Sequence, residues 1–186
     1  QAIVAHRAGA AVTFVAAIGD EAEAEIVCRR LLDEQMDMAH LQMRQGATDQ
    51  SIIYVDPKGE NAIVSTAAMA ASLRADDAAV PLDALQEGDL LLMQGNLSRA
   101  TTAQCLRQAR RRGARTILNP APIAFDYAGL WPLVDVAIVN QVESRILGGI
   151  EPHEAAAARL LELGAGAVIV TLGAAGALLV TRDAAR

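Results

Sequence analysis

Apolar and polar positions alternate in blocks along the chain. The clearest block runs over residues 130–149, LWPLVDVAIVNQVESRILGG. Residues 134–139 are apolar apart from Asp135, the pattern of a strand buried on both faces. The run breaks at Asn140-Gln141-Val142-Glu143, and a short helix is expected from there to Gly148-Gly149. The same rhythm recurs elsewhere. Residues 12–18 read as a buried strand that stops at Gly19-Asp20, with a helix over 21–32 behind it. Residues 81–87 read as helical and close at Gly88. A strand over 89–93 ends at Gln94-Gly95-Asn96, and Ser98 caps a helix that runs to Arg112. A strand over 115–118 ends at Asn119-Pro120-Ala121-Pro122. A helix is expected over 152–163, a strand over 167–170 that ends at Thr171, and a last strand over 177–181. Only residues 38–66 break the pattern. There a β-branched and aromatic run, a polar turn at 56–61 and a returning run predict a β-hairpin. The expected fold is α/β: a doubly wound, mostly parallel sheet with flanking helices, plus this small hairpin.

Composition agrees. The 186 residues are 53% hydrophobic but only 3% aromatic, so the core must be Ala, Val, Leu and Ile. That suits interior parallel strands. A formal net charge of -6 argues against a nucleic-acid partner. The one basic cluster, Arg107 with Arg110-Arg111-Arg112, ends a helix, where cations complement the dipole. Cys28 and Cys105 have neither metal-ligand spacing nor a disulfide framework, and both are expected as buried thiols in a reducing compartment. His6, His40 and His153 form no cluster. No apolar run is long enough to span a bilayer, and the first residues lack the basic start and cleavage site of a signal peptide. A cytoplasmic protein with no membrane partner is the expectation. The chain opens at Gln1, inside what reads as a helix, so it is expected to be a fragment.

Five strands are followed by polar or glycine-bearing loops: Gly19-Asp20, Gly95-Asn96, Asn119-Pro120, Asn140 to Glu143, and Thr171 to Gly176. If the strands are parallel, these loops share one edge, where ligands of open α/β sheets collect. Among them is no Ser-His-Asp set, no Cys-His pair and no metal cluster, so hydrolytic nucleophile chemistry is unsupported. Asn, Glu, Thr and glycine backbone suit hydroxyl-rich and phosphate-bearing ligands. A carboxylate near phosphates can hold Mg²⁺ through waters. The Thr171 loop is neither a Walker loop nor a dinucleotide fingerprint. Taken alone it is equally a glycine-rich hairpin turn. Asn140 and Glu143 are equally the two halves of a helix capping box. The residues by themselves leave both roles open.

Several stretches, in order, resemble the ribokinase group of the PfkB-like sugar kinases. Residues 1–10 look like the helix behind the family's Gly-Gly-Lys-Gly-Ala-Asn motif, and Ala17-Ile18-Gly19-Asp20 like its next strand and turn. Gly59-Glu60-Asn61 is similar to the tip of its lid hairpin. Asn119-Pro120-Ala121-Pro122 is a common ribokinase phrase. Asn140 to Glu143 fits Asn-x-x-Glu, and Thr171-Leu172-Gly173 with Gly176 fits the nucleotide loop. The resemblance implies one partial kinase domain over 1–186, with a lid hairpin at about 38–66. It implies ATP and Mg²⁺ as cofactors and a small sugar as substrate. Asn140 would contact the nucleotide phosphates. Glu143 would position Mg²⁺ through water. Thr171, Leu172, Gly173, Ala174 and Gly176 would line the ATP site. Asn96 stands where members present a sugar-contacting side chain, commonly Glu. The hairpin would cover the sugar and form a homodimer contact.

The departures carry expectations too. The sugar-gripping motif and the Asp-Thr-x-Gly-Ala-Gly-Asp motif, which supplies the catalytic base and anion hole, are absent from 1–186. Pro-Gly-Ala-Asn after the lid is replaced by Ala67-Ala68-Met69-Ala70. No catalytic residue is therefore assigned, and negligible activity is expected of 1–186 alone. The alternatives are a non-catalytic nucleotide-binding or interaction domain on the same scaffold, and a nucleoside kinase of the same superfamily.

Overall fold

The computed structural model describes residues 1–55 and 61–183. The expected polar turn of the hairpin, including Gly59 and Glu60, lies outside the described residues. The chain forms two compact units, Gln1–Ala78 and Ala79–Arg186.

The first unit carries α1 (Ala2–Arg7), β1 (Ala16–Ile18), α2 (Ala22–Asp33), β2 (Leu41–Met43), β3 (Ser51–Val55), β4 (Asn61–Ser65) and α3 (Ala68–Ala71). Strands β1 and β2 pair in parallel, Ala16 opposite Leu41 and Ile18 opposite Met43, with α2 as the crossover. The strand expected over 12–18 is thus only three residues long, because only those three find a partner. The hairpin is also shorter than expected. Leu41–Met43 belongs to the β1 pair, and the hairpin proper is β3 with β4, Ser51 opposite Ser65 and Val55 opposite Asn61.

The core of this unit is small: Ile18, Ala24, Leu31, Met36, Met69, Ala70, Leu73 and Ala75. Ion pairs tie its periphery. Arg7 and Arg30 both reach Glu34, and the hydrogen bond from Arg7 holds the Glu34 carboxyl below the usual carboxylate range. Arg44 joins Asp77 and donates to the Ser72 carbonyl at 2.6 Å. None of this reaches the hairpin arm. Ile52, Ile53, Tyr54, Val55 and Val64 are all more than half exposed.

The second unit is built on one five-stranded sheet. Its elements are α4 (Ala79–Ala84), β5 (Leu90–Gln94), α5 (Arg99–Arg111), β6 (Arg115–Asn119), β7 (Val136–Asn140), α6 (Gln141–Gly148), α7 (His153–Glu162), β8 (Ala167–Thr171) and β9 (Ala177–Thr181). The spatial order follows the sequence, β5-β6-β7-β8-β9. The first four strands are parallel and β9 turns back antiparallel on β8. Leu118, Ala137, Val139, Val168 and Val170 are fully buried, as central strands covered by helices require. Helices α5 and α7 supply Leu106, Ala109, Ala156, Ala157 and Leu160, all without exposure. Trp131 and Tyr127 close the core, with ring centroids 5.7 Å apart.

Strand β7 starts at 136 rather than 134. Asp135, just before it, already meets both neighbours through its backbone: its amide donates to the Thr116 carbonyl at 3.0 Å and its carbonyl accepts from the Ala167 amide at 2.9 Å. Its carboxylate adds a bond from the Thr116 amide at 2.8 Å and an ion pair with Arg110 at 2.7 Å. The arginines ending α5 serve this framework, since Arg112 likewise pairs with Asp83 at 2.6 Å. Cys105 is buried as expected, and desolvation pushes its thiol up to about 11. Cys28 is only half-buried, because α2 covers a smaller core. Among the described residues no helix is long and apolar enough to cross a membrane.

Two loops above β5 and β6 interlock. Gly95 is buried and its amide donates to the Ala121 carbonyl at 3.2 Å. A β-carbon at 95 would stand 2.1 Å from the Pro122 carbonyl oxygen and 2.8 Å from the Ala121 amide nitrogen. Backbone cannot yield as a flexible side chain can. Gly95→Ala is therefore expected to cost about 1–3 kcal/mol in urea unfolding, as other overpacking substitutions do. An unchanged midpoint would show that the two loops are not in contact.

Candidate functional site

The parallel strands β5 to β8 end on one rim of the second unit. Four of the five expected loops follow them there: Gly95-Asn96, Asn119-Pro120, Asn140 to Glu143 and Thr171 to Gly176. The fifth, Gly19-Asp20, belongs to the first unit, where it binds the segment 46–48.

The register sets the lateral spacing. Asn140 on β7 lies opposite Thr171 on β8, and Thr171 lies opposite Ala177 on β9. Asn140 and Thr171 are thus lateral neighbours, about 5 Å apart by ordinary strand spacing. Gln94 lies opposite Asn119, so Asn96 leaves the rim two strands, or about 10 Å, from Asn140. Asn119 stitches this rim, donating through Nδ2 to the Ile138 carbonyl at 3.0 Å. Directly beneath Asn140 and Thr171 lie Val139 and Val170, both without exposure, so the polar rim rests on a packed floor.

Asn140 and Glu143 form a complete capping box. The Glu143 amide donates to Asn140 Oδ1 at 2.8 Å, and the Asn140 amide donates to Glu143 Oε2 at 2.8 Å. The capping role that the sequence leaves open is therefore realised. It engages one polar atom of each side chain and leaves Asn140 Nδ2 and Glu143 Oε1 outside the box. Asn140 is exposed at the rim. Among the described residues no group of three acidic, histidine or cysteine side chains could hold a metal ion. A single carboxylate matches a cation that keeps most of its waters, as Mg²⁺ does.

Beyond Thr171 the chain makes one 3-10 turn, Gly173–Ala175, closed by the Leu172 amide donating to the Gly176 carbonyl at 2.8 Å. Gly173 and Gly176 have φ of 60° and 93°, backbone that favours glycine. Residues 173–176 are exposed, and a β-carbon on either glycine would meet nothing within 4 Å. A bare, glycine-bearing turn of this kind lets a phosphate approach the main chain closely. Thr171 Oγ1 makes only a long 3.4 Å contact with the Val139 carbonyl.

The structure thus places Asn96, Asn140, Glu143, Thr171, Leu172, Gly173, Ala174 and Gly176 on one rim of one sheet. A groove of about 540 Å³ opens at the opposite rim, between Arg110, Asp135, Gly166 and Arg182, and contains none of them. Sequence reasoning missed the part played by Gly95, although a glycine between a strand and a Pro-x-Pro partner loop was a usable signal. It also passed over Thr48 and Asp49, for which no motif offered a cue.

Comparison with known proteins gives the family of the chain. The pfkB family carbohydrate kinase profile matches residues 1–186. The chain is 29% identical to the ribokinase of Mus musculus, over 98% of this chain and 58% of that protein. It superposes on the ribokinase of Thermotoga maritima with a TM-score of 0.82 at 26% identity, over 100% of this chain and 62% of that one. The Arabidopsis thaliana ribokinase complexed with ribose and ATP shares the fold, with a TM-score of 0.80 at 20% identity over 99% and 62%. The chain therefore spans less than two thirds of the length of these relatives. With the profile matched from the first residue to the last, and the fold shared with ribokinases, this chain belongs to the pfkB family of carbohydrate kinases.

Proposed function

We propose that residues 1–186 are part of one kinase domain that transfers the γ-phosphoryl group of ATP to a hydroxyl of a sugar. The observation that carries this reading is the side-by-side placement of Asn140 and Thr171 beneath an exposed glycine turn, in a pfkB-family chain. A relative of the same fold binds ribose and ATP together, which supports both ligands.

In this reading Thr171, Leu172, Gly173, Ala174 and Gly176 border the nucleotide. Asn140 Nδ2 donates to a phosphate oxygen. Glu143 Oε1 orients a water of the Mg²⁺ shell, while Oε2 keeps α6 capped. Asn96 faces the sugar. The hairpin is the lid over the sugar and the contact for a homodimer, for which its exposed Ile52, Ile53, Tyr54 and Val55 are suited. Phosphoryl transfer needs little covalent work from protein, and positioning with charge neutralisation supplies the rate. It also needs a base for the acceptor hydroxyl. In this reading the base belongs to the Asp-Thr-x-Gly-Ala-Gly-Asp motif that the family resemblance implies and that residues 1–186 do not contain. The site is a cytoplasmic one in this reading.

Titration with ATP tests the assignment directly. Residues 1–186 are expected to bind ATP saturably, more tightly with Mg²⁺ than without, and to show no turnover with pentoses or hexoses. Turnover at a rate ordinary for kinases removes the outside base, and absence of any ATP binding removes the nucleotide site.

The capping box makes two residues separable. Asn140→Ala is expected to lower stability by about 1 kcal/mol through the lost cap. Glu143→Gln keeps an acceptor oxygen for the Asn140 amide, so its unfolding midpoint should stay near wild type while the Mg²⁺ enhancement of ATP binding disappears. Retention of that enhancement in Glu143→Gln would assign Glu143 to capping alone.

A further inference from the structure

Among the described residues the strands of the hairpin arm bury no side chain. Its described side chains on β3 are exposed on both faces, and an isolated two-stranded hairpin is marginal in water. Its order must come from its root, residues 46–50 on entry and 66–71 on exit.

That root is dense with directed bonds. On the entry side the Gly46 amide donates to Asp20 Oδ1 at 3.0 Å, and the Asp20 amide returns to the Gly46 carbonyl at 3.2 Å. Thr48 is held twice. Its hydroxyl accepts from the Gly19 amide at 2.9 Å, and its amide donates to Glu21 Oε1 at 2.8 Å. Hydrogen bonds from the Thr48 side chain and amide draw the Glu21 carboxyl below the usual carboxylate range, a sign that the bond is made to the charged form. One residue later, Asp49 crosses to the exit side. Its Oδ1 accepts from the Met69 amide at 3.2 Å and its Oδ2 from the Ala70 amide at 2.7 Å. The Gln50 amide donates to Thr66 Oγ1 and the Thr66 amide to the Gln50 carbonyl, both at 2.9 Å.

Thr66 and Asp49 both join the two sides through a side chain, but it is Asp49 that reaches α3 and does so with a carboxylate. Helix α3 has four residues, too few to hold itself together. Met69 and Ala70 are buried in the unit's core, so an acceptor that fixes their amides also fixes the hairpin to that core. Bonds from backbone amides to a carboxylate are stronger than neutral ones.

We propose that Asp49 is the positioning residue of the hairpin. Its carboxylate locks the entry segment to α3, while Glu21 and Thr48 tie that segment to the turn after β1. Strands β3 and β4 are thereby fixed at their root to the core of the first unit. The arm's use over a sugar rests on the kinase reading, but the anchoring itself does not.

Hydrogen exchange on residues 1–186, read by mass spectrometry, tests the anchor. Asp49→Ala is expected to speed exchange in β3, β4 and α3 by about 10-fold or more, the loss of a charge-assisted bond pair. Exchange in β6, β7 and β8 should stay at wild-type rates. Asp49→Asn, which keeps one acceptor oxygen, should fall between the two. Wild-type exchange in the hairpin of Asp49→Ala overturns the proposal, and so does an equal loss of protection across both units. If Asp49→Ala does not fold, Thr48→Val serves instead. It should loosen β3 and β4 selectively, and a uniform or absent effect overturns the proposal equally. In the intact enzyme, Asp49→Ala should raise the sugar KM by about 10-fold with the ATP KM unchanged, a split that general destabilisation does not produce. A rise in both together counts against the anchor. Failure of wild-type residues 1–186 to bind ATP would end the kinase reading and leave the exchange result standing.

Discussion

Four parallel strands hydrogen-bonded in register constrain everything else in the second unit. A parallel ladder needs each strand to start again from the same end, so each of the first three is followed by a crossover. All four carboxyl ends must then meet on one rim, whatever the loops contain. The sheet is filled from within by Val139, Val170, Ala137 and Leu118, none of which is exposed. That packing fixes the height at which the chain leaves the sheet. Asn140 and Thr171 stand on this floor as immediate neighbours, and the Gly173–Ala175 turn follows directly. Asn140 and Thr171 owe their proximity to backbone pairing, and Glu143 joins Asn140 through the capping box.

The rim residues also carry structural duties. Asn140 and Glu143 close the first turn of α6, Asn119 ties β6 to β7, and Gly95 gives room for the 119–122 loop. A site assembled this way is pre-organised, because its groups are already fixed by the bonds that hold the fold.

Much of the second unit could be read from the chain because its strands are continuous apolar runs between clear turn signals. The expected strand over 167–170 and the last strand over 177–181 lie within a residue of β8 and β9. β7 starts two residues later than its apolar run, although Asp135 already bonds both neighbouring strands through its backbone. The first unit was harder. Leu41-Gln42-Met43 alternates in the same way whether it joins a hairpin or a parallel pair, so only the tertiary partner decides. The Asn-x-x-Glu spacing announced a capping box, and the box is there, but spacing says nothing about the two polar atoms left outside it. Asp49 was illegible for a different reason: its partners, Met69 and Ala70, are 20 and 21 positions away and use only their amides.

The arm made by β3 and β4 presents Ile52 and Tyr54 on one side and Ile53 and Val55 on the other. A ribbon that is greasy on both sides cannot be sheltered by lying against a single surface. Covering one side leaves the reverse in water, so shelter comes complete only from two coverings at once. Partly occupied states keep a sticky face turned outward, and the colloidal behaviour of the molecule in concentrated solution depends on what occupies this ribbon.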